Sequence, residues 1–168
     1  HAELSAEILA DTRFMQQETP EMRSLVRSAI RLHNLKELPP ALPEALQLVA
    51  QAVRDADKID IINVMTAELA PGKKVDLTVT MGLTDTPNTY SKEALNAVLN
   101  KQDLSYSDMK CVNDFRLMLC TWVYALNFES SKSLLAQRGY MTEILKGLPN
   151  TPEIDLVKAQ ITEELAKV

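Results

Sequence analysis

Aromatic residues are scarce in this sequence: Phe, Trp and Tyr make up 5% of 168 residues. Leu, Ala, Ile, Val and Met must then build most of the core, which is a helical habit rather than a β-sandwich habit. Cysteine is scarce too. Cys111 and Cys120 stand nine positions apart in one helical pattern and point in opposite directions, and there is no Cys-x-x-Cys pair. A mutual disulfide and a thiolate metal cluster are both disfavoured, and buried thiols in a reducing, cytoplasmic compartment are expected. Basic clusters are missing and the net charge is −5, which argues against nucleic acid as a standing partner. No apolar run reaches the length of a membrane span, and no signal peptide is expected. There is no Gly-x-Gly-x-x-Gly string, no Walker loop, no internal repeat and no low-complexity segment. A phosphorylated small molecule stays open as a partner, because a bound metal ion can supply the positive charge that the chain lacks.

What is present reads as a run of helices. Leu4, Ile8, Leu9 and Met15 fall at helical spacing between Ala2 and Gln17. Thr19 and Pro20 cap and open a second helix to about Asn34. Three prolines among residues 38–43 interrupt regular structure. A long helix then runs from Pro43 to about Leu69 and stops at Pro71-Gly72. Lys74 to Met81 alternates apolar and polar residues, which predicts one short extended segment near 74–81 lying on the helices. Ser91 caps a short helix to Asn100. The most apolar stretch, Ser107 to Asn127, predicts a buried central helix that serves either a core or the interface of a homo-oligomer. Two shorter helices follow, broken at Gly139 and at Gly147-Leu148-Pro149, and Asn150 with Glu153 caps the last one. The fold class is therefore all-α, a multi-helix bundle.

The informative polar residues are those that interrupt apolar faces. On the second helix, the stripe Met22, Leu25, Val26, Ala29, Ile30 continues onto His33, roughly 20° from Met22. On the third, Leu46, Val49, Ala50, Val53, Ile61 and Val64 form a stripe that takes in Asp57, roughly 20° from Leu46, and Asp60, whereas Asp55 falls on the opposite, solvated side. A buried carboxylate costs several kcal/mol, on the order of the desolvation penalty, unless it is paired or bound to metal. An inward His and an inward Asp on adjacent helices suggest a shared divalent ion of the Mn, Fe, Co, Ni, Zn or Mg type. A hydrogen-bonded core His and an Asp that caps a helix or pairs with an Arg would explain the same pattern.

The strings themselves carry a resemblance. Arg54-Asp55-Ala56-Asp57-Lys58-Ile59-Asp60 resembles the closing motif of the HD-domain metal-dependent phosphohydrolases. Ala29-Ile30-Arg31-Leu32-His33-Asn34 and His1-Ala2-Glu3-Leu4-Ser5-Ala6-Glu7 resemble stretches upstream of it in the same order. The likeness covers residues 1 to about 65, and Met81-Gly82-Leu83-Thr84-Asp85-Thr86-Pro87 resembles the tails of bacterial members. It implies an HD-type domain over 1–65 and a helical C-terminal extension over 66–168 packed on it. It also implies hydrolysis of a small phosphoester substrate, such as a nucleotide, with a divalent metal. Asp57, His33 and His1 would be metal ligands, Lys58 and Asn34 substrate contacts, and Asp60 a second-shell partner that orients His33. The family's His-Asp dyad is not among these residues. The resemblance implies that it lies upstream of His1, so that this chain alone binds metal poorly and does not turn over. The alternative is a non-catalytic helical binding or regulatory module on the same scaffold.

Overall fold

Helices start in this chain where a hydroxyl can accept an orphan backbone N–H. Thr19 accepts from the Met22 amide at 3.2 Å, with Pro20 in the first turn behind it. Ser91 accepts from the Ala94 amide at 3.1 Å. Thr151, rather than the expected Asn150, accepts from the Ile154 amide at 3.3 Å. The structure is a computed structural model describing residues 1–70 and 72–168, without the side chain of Arg13. Among the described residues it contains eight α-helices and no strand: α1 (Ala2–Asp11), α2 (Pro20–Leu32), α3 (Glu44–Glu68), α4 (Lys92–Leu99), α5 (Val112–Ala125), α6 (Glu129–Arg138), α7 (Tyr140–Lys146) and α8 (Pro152–Leu165). No helix is long and apolar enough to cross a membrane.

The chain divides into two compact units, His1–Asp57 and Lys58–Val168. The division falls inside α3, ahead of the boundary expected near 65. The Pro71 part of the expected stop of α3 lies outside the described residues.

In the first unit, α1 ends at Asp11, earlier than its apolar spacing suggested, and a 3-10 turn follows (Arg13–Met15). α1 and α2 form an antiparallel pair. Ala2, Ala6 and Ala29 are buried where they meet, small side chains that let two helices approach closely. The start of α1 is tied to the end of α2 by Arg31, whose Nε donates to both carboxylate oxygens of Glu3 at 2.9 and 3.1 Å. Leu4 and Ile8, read from the sequence as an inward stripe, are exposed.

In the second unit, α5 is the hub. Every residue from Val112 to Val123 is buried, and residues of α4, α6, α7, α8 and the C-terminal part of α3 complete its core. The helix starts at Val112, later than the predicted Ser107, because residues 106–108 form a separate 3-10 turn and Cys111 is extended (φ −150°, ψ 171°). That extended residue forms an isolated parallel bridge with Thr84, and the Val112 amide donates to the Thr84 carbonyl at 3.1 Å. α6 and α7 meet at Gly139, whose φ of 68° is the left-handed conformation that glycine adopts without strain.

The extended segment expected near 74–81 is not extended; residues 77–82 form turns. The Asp76 side chain accepts from the Thr78 amide at 2.8 Å, its carbonyl accepts from the Thr80 amide at 3.0 Å, and the Gly82 amide closes on the Leu77 carbonyl at 2.7 Å. The hydrogen bonds from Thr78 hold the Asp76 carboxyl below the usual carboxylate range. Alternation alone cannot make a strand without a neighbour to receive its backbone bonds, and here Asp and Thr side chains offer a local alternative.

The phase of α3 also differs from the expected one. Ile62, Met65 and Leu69 are core residues, whereas Val64 is half exposed. The face they define is roughly 130° round the helix from the Leu46–Val53–Val64 stripe. Asp55 lies within about 50° of that face and is buried, at 1% exposure. Asp60 lies nearly opposite and is exposed. The expected solvated Asp55 and inward Asp60 are thus exchanged. A helix of 25 residues that contributes to two units need not bury one face along its whole length, and a single stripe fitted to both halves averages over two.

Candidate functional site

His33 follows α2 as its C-cap residue, still with right-handed helical dihedrals (φ −64°, ψ −33°). Its Nδ1 lies 2.6 Å from the Ile30 carbonyl oxygen. A carbonyl only accepts, so Nδ1 carries a proton, and in the neutral ring Nε2 is the nitrogen with a lone pair. That nitrogen is 3.0 Å from Nε2 of His1, with the two rings edge to face at 64°. Asp57 Oδ1 lies 3.9 Å from the same His33 nitrogen. The His33 side chain is 8% exposed and that of Asp57 39%, so the imidazole is held in the protein while the carboxylate faces water on one side.

The end of α2 is also clamped from α3. The Arg54 guanidinium donates to four carbonyl oxygens of that turn: through Nη1 to Leu32 at 3.5 Å, His33 at 3.1 Å and, most closely, Leu35, and through Nη2 to Lys36 at 3.1 Å. They lie at and just beyond the end of α2, where the helical ladder no longer supplies partners for every carbonyl. A cation at a helix C-terminus also complements the helix dipole. Arg54 therefore fixes the backbone that carries His33. Sequence reasoning passed over it, although it stands beside the Asp55-to-Asp60 string, because its partners are main-chain atoms far away in sequence. Arg31 holds Glu3 and with it the start of α1, next to His1.

Of the residues singled out from the sequence, the first unit thus brings together His1, His33 and Asp57. Asn34, directly after His33, is exposed. The orienting role expected of the now exposed Asp60 is taken by the Ile30 carbonyl. In the second unit, the Lys58 ammonium stands over the Trp122 ring, 5.9 Å from its centroid.

Two imidazole nitrogens about 3.0 Å apart match neighbouring positions of an octahedral ion, since metal–nitrogen bonds of about 2.1 Å at right angles give that separation. A His whose far nitrogen is fixed by a backbone carbonyl is the usual arrangement of a protein metal ligand. Imidazole and carboxylate are donor types that suit a divalent ion, and the 3.0 Å separation is equally that of a hydrogen bond between the two rings. The set is short of ligands: among the described residues no group of three or more His, Cys, Asp or Glu side chains stands ready to hold a metal ion.

The second unit carries a different polar cluster on α5. Asn113 Nδ2 donates to the carbonyls of Thr86, Pro87 and Thr89 at 2.9 to 3.2 Å, and its Oδ1 accepts from Arg116 Nη1 at 2.8 Å. Arg116 Nη2 donates to the Leu69 carbonyl at 3.0 Å. Asp114, 0% exposed, accepts from the amides of Ser91 at 2.7 Å and Lys110 at 2.9 Å. Burial lowers the pKa of the Arg116 guanidinium, opposed by the charge of Asp85. Asn113 and Asp114 direct these bonds to backbone groups and to Arg116, which makes this cluster a brace for the 84–91 segment. Periodicity in the sequence marked this helix only as apolar. Compared with known proteins, the chain matches no family model, no curated protein and no solved structure.

Proposed function

We propose that this chain is part of an HD-type phosphohydrolase, with His33, His1 and Asp57 contributing to a divalent metal site that further ligands outside this set complete. The observation that carries the reading is the His33 ring, held at Nδ1 by the Ile30 carbonyl with Nε2 turned toward His1 at 3.0 Å and toward Asp57 at 3.9 Å. The chemistry that a divalent ion supplies in such sites is Lewis-acid polarisation of a phosphoryl group and acidification of water. The protein's own part is positional. The Ile30 carbonyl sets the ring, Arg54 sets the turn beneath it, and Asp57, half in water, keeps a carboxylate within reach of a cation. Asn34, exposed beside His33, is the proposed contact to the phosphate of a small phosphorylated substrate such as a nucleotide. A cytoplasmic location and a homo-oligomeric assembly belong to the same proposal.

A second reading, a non-catalytic helical module on this scaffold, draws on the shortage of ligands. Titration of the chain, and of a form extended at its N-terminus, with Mn2+ or Co2+ separates the two. Binding is followed by paramagnetic effects on the His33 ring, and hydrolysis with bis-p-nitrophenyl phosphate. The enzyme reading expects the extended form to bind tightly and turn over, and His33→Ala or Asp57→Ala to weaken binding at least about tenfold, the scale of losing a ligand or its support. No metal bound by either form would leave His33 and Asp57 structural and favour the binding module.

A further inference from the structure

A cavity of about 330 Å³ opens in the first unit between the end of α1, the 3-10 turn and the first half of α2. Its apolar wall includes Leu9 and Met15. Its polar side is Arg23, Ser24 and Arg27, with Asp11 across from them. Arg23 and Arg27 are four residues apart on α2 and so stand on the same face, one turn above the other. Three circumstances make this pair unfavourable as it stands. Like charges at that spacing repel. Arg23, the fourth residue of α2, lies near the end where the dipole disfavours cations. And Arg27 Nε is sealed from solvent with no hydrogen-bond partner. Asp11 does not relieve them: among the described residues neither guanidinium forms an ion pair or a hydrogen bond. The unpaired Nε leaves Arg27 a charged group without compensation, and the lining of the cavity by both arginine side chains is where an anion can supply it.

We infer that this cavity is a binding site for the phosphate group of a small phosphomonoester. Two guanidinium forks stacked along a helix offer parallel N–H pairs to an oxyanion with several oxygens, a match that phosphate meets better than a single carboxylate. Ser24 adds a hydroxyl beside them. The volume exceeds that of a bare anion, and the Leu9–Met15 wall gives an apolar body of the ligand a surface to lie on. The site depends on no metal and on neither His1 nor His33, so it stands or falls apart from the proposed hydrolase activity.

The test is NMR titration of the chain with phenyl phosphate in EDTA at low salt. The Arg27 Nε–H signal, protected from solvent, is the reporter. Saturable shifts of that signal are expected, with inorganic phosphate binding more weakly and benzoate more weakly still. Arg23→Gln and Arg27→Gln should each reduce affinity at least about tenfold, the scale of one charged hydrogen-bond pair, with far-UV circular dichroism confirming that α2 is intact. Arg27→Lys, which keeps the charge but loses the fork, should fall between wild type and Arg27→Gln. Linear, unsaturated shifts with phenyl phosphate would overturn the inference. So would equal affinity in wild type and a folded Arg23→Gln, or benzoate binding as tightly as phenyl phosphate.

Discussion

Replacing Asp114 by Asn tests how the second unit is held together. The carboxylate is fully buried, and its two oxygens each accept one backbone N–H, from Ser91 and from Lys110. These bonds anchor the N-cap of α4 and the residue that leads into α5. An ionised carboxylate accepts at both oxygens, whereas a carboxamide accepts at one end and donates at the other. In either orientation Asn therefore sets its NH2 against a buried backbone N–H. One bond to a charged acceptor, worth about 1.5–3 kcal/mol, is lost and the other falls to about 1 kcal/mol. The favourable charge near the start of α5 goes as well, for about 0.5 kcal/mol. The sum is a destabilisation of about 4 kcal/mol. Trp122, the one tryptophan of the chain, is buried in the same unit and reports its unfolding in urea directly. The midpoint should fall by roughly 2 M, taking a slope of about 2 kcal/mol per M, and the Ser91 and Lys110 amides should lose their protection from hydrogen exchange. A midpoint shift under roughly 0.5 M with both amides still protected would refute the brace described for α5.

Gly147→Ala should destabilise the same unit by about 1–3 kcal/mol, the range for overpacking. The added Cβ would stand 2.5 Å from Nε of the buried Arg116. Since Gly147 has ordinary helical dihedrals (φ −77°, ψ −10°), a gain in stability in thermal melts would show that Arg116 yields freely. Glu164 accepts hydrogen bonds from Lys167 and Lys132, and these lower its pKa below the usual 4.5. A lowered folded-state pKa means a contribution that is complete above the unfolded value and is lost as pH falls through the folded one. Glu164→Gln should therefore cost at most about 1 kcal/mol at neutral pH, and urea midpoints of variant and wild type should converge in acid. A gap that persists at low pH would point to packing instead of charge.

Much of the architecture was readable from local signals. Thr19-Pro20, Ser91 and the interruption at Gly139 mark helix boundaries because capping and left-handed turns are decided within a few residues. The apolar run around Val112–Val123 identified the central helix for the same reason, since a helix apolar all round has to be covered. The pairing of His33 with Asp57 was also within reach, because both fall on faces that periodicity picks out.

Other features depended on partners distant in the chain. The alternation at 74–81 had the right period for a strand, but no neighbouring strand exists to receive its backbone bonds, so Asp76 and Thr80 close turns instead. Asp60 faces solvent because the second half of α3 buries the face of Ile62, Met65 and Leu69, while Asp55, in the first unit, is buried where one stripe fitted to the whole helix does not put it. Arg54 gained its role from four carbonyls at the end of another helix, and Arg27 was left without an acceptor by the way α1 and its following turn close over α2. The presence of most helices, the caps at Thr19 and Ser91 and the apolar character of α5 were legible in the chain, because those depend on neighbours within a turn or two. Only tertiary structure decided which carboxylate is buried, which arginine is satisfied and which is not, because desolvation and hydrogen bonding depend on atoms that the chain brings together from far apart.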